Sequence, residues 1–186
     1  MISKSFKIEK SITSNHNTSL IKDIVLVLLF SILTGISAGL KIEIGAVPIT
    51  MQTLVVLLSG AFLGSKKGAL SQLTYLTIGI TGIPWFSRGG GLSYILSPTF
   101  GYLLGFIPAA YMVGFLIKRN KKIINIVSSL VAGNIIIYLF GILWLSRIIG
   151  LSKALTVGLY PFILGDVLKI FLAIIILKYT KQWKTK

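Results

Sequence analysis

Long apolar runs separated by short polar breaks dominate the chain. Six segments, roughly 20–40, 49–65, 68–83, 97–117, 123–145 and 159–178, are apolar over or close to the ~20 residues that cross a hydrocarbon core of ~30 Å. The pattern predicts an all-α integral membrane protein, a bundle of six transmembrane helices in one domain over residues 20–180. The first 19 residues form a polar tail rich in Ser, Thr and Asn. They lack the short apolar core and cleavage site of a signal peptide, so the first span is expected to be retained. Residues 181–186 form a second, basic tail. Local signals place several ends. Pro48 suits the first turn of the second helix, where its missing N–H costs nothing. Ser97-Pro98 repeats that arrangement before the fourth, with Ser97 as the cap. Gly79, Gly82 and Pro84 close the third.

Composition agrees with this pattern. Hydrophobic residues make up 54% and charged residues 12%, with a mean hydropathy of +0.90. Soluble domains carry about a quarter charged residues, and disorder needs low hydrophobicity, so both are excluded. The net charge of +15 would suggest nucleic acid in a soluble chain. Here the spans sort it. Six spans put both termini on one side, together with the 66–67 and 118–122 turns. That side holds 14 of the 19 cations, the other holds Lys41, Arg88, Arg147 and Lys153, and Lys169 falls inside a span. Such asymmetry in short loops orients both termini to the cytoplasm of a cell membrane. The cations are an orientation signal within a lipid bilayer, and no nucleic-acid partner is needed to explain them.

The remaining polar residues narrow the chemistry. Ionisable groups inside a span are expensive and mark function by default. Asp166 and Lys169 are three residues apart on the last span, hence on one helix face. They read as an internal ion pair, as a small-molecule site in which the carboxylate accepts N–H groups and the ammonium donates, or as a proton relay. Thr50 and Gln52 are expected in the first turn of the second helix, at the same depth, as ligand contacts or interhelical hydrogen-bond partners. Gln72, Tyr75, Asn134 and Tyr138 read as interhelical hydrogen-bond partners, with Asn134 retained as a ligand candidate. The long 82–96 connection is rich in glycine and carries Trp85, Phe86, Arg88 and Tyr94, all four candidate ligand contacts. Long loops of this kind are lids or links; its aromatic residues are either lid contacts or interfacial anchors. Ser31, Thr34, Gly35, Ala38 and Gly39 give the first helix small residues at spacing four, which lets another helix approach closely, whether its own neighbour or a partner subunit.

Several activities are excluded. No GxxxxGK[ST] phosphate loop is present; Gly60-Ala-Phe-Leu-Gly64-Ser-Lys66 has the wrong spacing. There is no cysteine, and the one histidine, His16, lies in the tail, which disfavours a thiolate or zinc site and a Ser–His protease. Neither catalytic nor metal-ligating residues are expected. Binding or transport remains.

Five linked stretches carry a resemblance: Gly45-Ala-Val-Pro48-Ile-Thr50-Met-Gln52-Thr, Gly60-Ala-Phe-Leu-Gly64-Ser-Lys-Lys-Gly68, Tyr75-Leu-Thr-Ile-Gly79-Ile-Thr-Gly82-Ile-Pro84-Trp-Phe86, Ser97-Pro-Thr-Phe-Gly101-Tyr and Gly165-Asp166-Val-Leu-Lys169. In this order they resemble the BioY family, the biotin-specific substrate-binding (S) components of energy-coupling factor (ECF) transporters. The resemblance covers residues 22–178. It implies a six-helix S-component bundle that binds biotin near its outer face through Asp166 and Lys169, beneath a closing loop after the third helix. It also implies partners: a membrane-embedded T component and two cytoplasmic ABC-type ATPases, which supply the missing phosphate loop. The family's asparagine in that loop has no match at Ser87-Arg88. The alanine-spaced motif of the first helix survives only as Thr34/Ala38 or Gly35/Gly39. Biotin is then the transported ligand and no cofactor is expected. The alternatives are a self-sufficient, proton-coupled vitamin carrier and an S component for another small vitamin.

Overall fold

Backbone groups in hydrocarbon have no water to bond, so apolar runs of this length close their hydrogen bonds internally, as helices. The computed structural model describes residues 2–119 and 122–180, with side chains from Ser19 onward. The expected basic tail at 181–186 lies outside the described residues, as do the side chains of the N-terminal tail. Helix α1 (Ile2–Gly39) is followed by α2 (Gln52–Ile80), α3 (Phe100–Arg119), α4 (Ile123–Ile149), α5 (Leu151–Gly158) and α6 (Ile163–Tyr179). Five stretches among the described residues are long and apolar enough to cross a membrane: Ser19–Gly39, Gln52–Ile80, Phe100–Arg119, Ile123–Ile149 and Leu151–Tyr179.

The expected spans 49–65 and 68–83 are a single element, α2, that folds back on itself. Gly64 has φ 78° and ψ 178°, a left-handed conformation that only glycine adopts freely. Across this break a Cβ built at Gly68 would lie 2.8 Å from the Gly60 Cα. Gln72 Nε2 donates to Ser59 Oγ at 3.1 Å, and Gln52 Nε2 to Tyr75 OH at 2.7 Å. The two arms are therefore antiparallel. The turn falls at Gly64 and not at the Lys66-Lys67 pair.

Three other boundaries differ from expectation. Pro48 and Thr50 do not open a helix. Strand β1 (Lys41–Ile42) pairs antiparallel with β2 (Ile49–Thr50), Lys41 facing Thr50, and the Met51 N–H continues the contact to the Leu40 carbonyl. Helix α2 starts only at Gln52. Residues 146–158, read as a connection, are helical: α4 runs on to Ile149, Gly150 (φ 82°) breaks it, and α5 follows. Loop 82–96 is ordered by a Phe86–Gly89 bridge and a 3₁₀ helix, Leu92–Leu96. Ser97 caps the turn that leads into α3, its Oγ accepting from the Thr99 N–H at 3.3 Å.

Helix α3 packs between α2 and α4, and α6 closes on α2 and α4. The outside is apolar: Ile24, Ile32 and Ile36 on α1, Ile135 and Leu143 on α4, and Leu164, Val167, Leu168 and Phe171 on α6 are exposed. The inside is partly polar. Ser31, Thr34, Ser59, Ser71 and Gln72 are buried and bonded to one another between α1 and the arms of α2. That inversion suits a lipid surround, where interhelical hydrogen bonds add about 0.6–2 kcal/mol each. The β-hairpin, loop 82–96 and α5 gather at one end of the bundle, and the Gly64 turn lies at the other.

Candidate functional site

At the hairpin end, a 3₁₀ turn at Tyr160–Phe162 feeds α6, which brings Asp166 and Lys169 inward. Both are buried, at 5% and 6% exposure. A buried ion pair needs further hydrogen bonds to offset its desolvation, and these are present. Lys169 Nζ lies 2.9 Å from Asp166 Oδ1 and donates to Thr53 Oγ1 at 3.0 Å. Thr53 Oγ1 donates to Asp166 Oδ1 at 3.3 Å, and the Tyr138 hydroxyl donates to Oδ2. The carboxylate is thus held by three donors. The ammonium has three N–H groups and uses two.

Lys169 opens on a narrow, partly open cavity of about 40 Å³, below the volumes of occupied small-molecule sites, so a ligand larger than a few water molecules must widen it. Val47, Pro48, Leu103, Phe106, Ile137 and Phe162 form its apolar walls. Thr50, Gln52, Thr53, Ser87, Thr99, Tyr102 and Tyr138 supply hydroxyls and an amide. Such a chamber offers donors and acceptors at fixed points in a dry surround. It suits a small, mostly apolar ligand with a few polar atoms.

Thr50, Gln52 and Lys169 therefore line the cavity, and Asp166 anchors it. Trp85, Phe86, Arg88, Tyr94 and Asn134 are not among the lining residues. Trp85 turns away: its Nε1 donates to the Tyr75 carbonyl at 3.1 Å. Its ring also packs so closely on Gly35 that a Cβ there would lie 2.8 Å from Trp85 Cε3. Phe86 sits between Tyr75 and Tyr94, with ring centroids 5.4 and 4.6 Å away. Tyr94 acts one layer back, its hydroxyl 3.0 Å from Ser87 Oγ and 2.8 Å from Thr99 Oγ1. Arg88 is outside altogether. It forks onto the Gly45 and Ala46 carbonyls at 2.8 and 3.0 Å and pairs with Glu43 at 2.6 Å. Lys41 also pairs with Glu43, at 2.8 Å. These bonds strap loop 82–96 to the β-hairpin over the cavity. The hydrogen bonds from Arg88 and then Lys41 hold the Glu43 carboxyl down at about 2. Asn134 is buried one turn from Tyr138 on α4, its Oδ1 unpartnered.

The small residues of α1 face the chain's own helices. Ser31 Oγ donates to the Ser71 carbonyl at 2.7 Å, and Thr34 Oγ1 to Gln72 Oε1 at 3.3 Å. Gly35 seats Trp85, and Ala38 is buried. Of the two occupants left open for this stripe, the second arm of α2 and Trp85 fill it in this structure, so Ser31, Thr34, Gly35 and Ala38 do not present a partner-helix surface here. Gly39 alone is open. Sequence reasoning overlooked Thr53, and it read Tyr138 as an interhelical hydrogen-bond partner, which its bond to Asp166 is, without placing it at the cavity. The run Thr50-Met-Gln52-Thr53 at a helix start was the available signal for the first. Tyr138, 28 residues from Asp166, had none.

The BioY family profile matches residues 8–186. A protein of Pyrococcus horikoshii described as a probable biotin transporter BioY is 42% identical over 156 residues, 83% of this chain and 93% of that one. A biotin transporter BioY of Thermotoga maritima is 37% identical over 150 residues, 80% and 89% of the two chains. Among solved structures, the S-component for biotin from an ECF-type ABC transporter superposes with a TM-score of 0.81 at 26% identity, covering 89% of this chain and 94% of that one.

Proposed function

The chain belongs to the BioY family, and from that premise we propose that its cavity holds biotin. It is a multi-pass membrane protein that serves biotin uptake as the S component of an ECF transporter, and it is not an enzyme. The observation that carries the site is the buried Asp166–Lys169 pair, whose ammonium keeps one N–H for the cavity. Biotin matches the chemistry of this lining, which must open to admit it. Its bicycle and aliphatic chain suit apolar walls, and its ureido group and carboxylate offer the polar atoms.

In our reading the arms of α2 cross the membrane separately, giving six passes. Both termini then face the cytoplasm, on the side that carries 14 of the 19 cations, and the cavity faces outward beneath the Arg88 strap. The sequence carries no phosphate loop, so nucleotide hydrolysis is assigned to two ABC-type ATPases acting through a T component.

Titration of the purified chain with biotin tests the site: saturable one-to-one binding is expected, and a folded protein that ignores biotin overturns it. Biotin uptake into vesicles should require the T and ATPase subunits, whereas uptake by this chain alone on a proton gradient would favour a self-sufficient carrier. The chain has no cysteine, so single cysteines at Lys4 and Lys153 report topology. Labelling of both from the same side would refute the six-pass arrangement.

A further inference from the structure

Gln52 is the one carboxamide among the residues that line the cavity, and it is 3% exposed. A carboxamide carries donors at one end and an acceptor at the other, so a half-turn about its last bond exchanges what it shows a ligand. Two hydroxyls hold it here. Gln52 Nε2 donates to the Tyr75 hydroxyl at 2.7 Å, and Gln52 Oε1 accepts from Thr50 Oγ1 at 3.2 Å. A hydroxyl can serve either end of an amide, so neither bond by itself decides which way Gln52 points. The next bond does. The Tyr75 hydroxyl donates its single proton to the Trp85 carbonyl at 3.4 Å, an acceptor only. Its oxygen is then left to accept, and only the nitrogen end of Gln52 can satisfy it. Thr50 agrees: its oxygen accepts from the Gln52 backbone N–H at 3.3 Å, and its proton goes to Oε1.

Tyr75 itself does not reach the cavity. It is fully buried on the second arm of α2 and lies outside the lining. Trp85 and Phe86 pack on its ring, with centroids 5.3 and 5.4 Å away, and Trp85 Nε1 donates to the Tyr75 carbonyl at 3.1 Å. Side chain and main chain of Tyr75 thus grip loop 82–96 at one point, two positions before Ser87, which lines the cavity. We propose that Tyr75 is a positioning residue for the ligand: bonded to the Trp85 carbonyl, its hydroxyl keeps the Gln52 amide in one orientation at the cavity wall. This rests on the biotin reading above and deepens it. Beyond these bonds Nε2 keeps one N–H and Oε1 one lone pair, so an ordered amide meets the ligand with donor and acceptor at fixed places. Without the Tyr75 hydroxyl, Thr50 alone holds the amide and can bond either end. The ligand must then select one orientation from two, which lowers its affinity by the fraction that is competent.

A double-mutant cycle on biotin affinity tests this. Tyr75→Phe keeps the ring and removes the hydroxyl. It is made alone and together with Gln52→Met, which keeps the side-chain length and removes the amide; Gln52→Ala takes its place if the Met variant does not fold. Biotin is titrated into the four purified proteins, and ligand-free unfolding confirms that each is folded. Tyr75→Phe alone should weaken biotin binding by about 2- to 12-fold, the worth of one neutral hydrogen bond. Gln52→Met should weaken it as well. In the Gln52→Met background, Tyr75→Phe should cost no further affinity, because the group it positions is gone. A hydroxyl with a purely structural role would cost the same affinity in both backgrounds, and that result overturns the proposal. So does either folded single variant that binds biotin as tightly as wild type. Wild-type protein that fails to bind biotin overturns the parent reading instead, whatever the variants do.

Discussion

Replacing Asp166 and Lys169 singly and together separates what the pair does for the fold from what it does for the ligand. Each is about 95% buried. Lys169→Met leaves the carboxylate with the Tyr138 and Thr53 donors but no counter-charge; Asp166→Leu leaves the ammonium with Thr53 alone. Breaking one side of a buried pair costs about 3–5 kcal/mol, because the surviving charge stays desolvated. The double variant removes both charges. Apolar replacement of a whole buried pair ranges from neutral to about 1–4 kcal/mol stabilising. Against that, the Tyr138 and Thr53 hydroxyls lose an acceptor, at ~1 kcal/mol or more each. The terms nearly cancel, so the double variant should unfold close to wild type and well above either single variant.

Binding should not recover with stability. A hydrogen bond from a charged donor contributes about 1.5–3 kcal/mol, so loss of the Lys169 N–H alone weakens biotin binding by about 10- to 150-fold. The assay is ligand-free thermal unfolding beside a biotin titration on all four proteins. Two results would refute the reasoning: a double variant as unstable as the worse single one, or a folded double variant that binds biotin with wild-type affinity.

The strap over the cavity gives further expectations. Arg88→Ala removes the fork onto Gly45 and Ala46 and should speed biotin dissociation by up to about tenfold, or ~1.4 kcal/mol. Association should change little; stopped-flow rates decide, and an unaltered off-rate would refute the strap. Glu43 is lowered from 4.5 to about 2 in the folded protein, so its contribution is complete above pH 4.5 and fades as pH falls toward 2. Dissociation should therefore be flat from about pH 8 to 5 and accelerate below 4.5, and an acid limb that persists in Glu43→Gln would assign it to another group. Gly35→Ala places a methyl 2.8 Å from Trp85 Cε3. Displacement of the indole should lower stability by about 1–3 kcal/mol and shift tryptophan emission; an unchanged unfolding temperature would show that the contact gives way freely.

The apolar helices were legible because bilayer thickness dictates the length of each run, and the Asp166–Lys169 pair was legible because charge inside such a run is conspicuous. Other features depended on geometry that spacing does not encode. The Lys66-Lys67 pair looks like the turn, yet the backbone reverses at Gly64, where a left-handed φ is available. Pro48 fits a helix start as well as it fits a hairpin, and two-residue strands have no period to detect. The aromatic residues of loop 82–96 read as lid contacts or interfacial anchors. Trp85 and Phe86 instead pack on Tyr75, which returns to them from ten and eleven residues upstream, and no loop composition distinguishes a ring that lines a cavity from one that backs it.

Degree of satisfaction divides the polar interior into two kinds. Around Gln72, every buried side-chain atom finds a partner: its Nε2 serves Thr34, Ser59 and Ser71, and Thr34 returns a bond to its Oε1. Such a closed network holds α1 to the arms of α2 and has nothing left for a ligand. Around Asp166 the carboxylate is saturated, but the bonds stop short at its partner. Lys169 keeps a free N–H at the cavity. In a dry interior an unfilled bond is unfavourable until something fills it, so binding there gains from bonds the empty protein cannot make. The same amino-acid types thus act as cement in one place and as a binding site in another. Which they are depends on whether the folded chain leaves them complete.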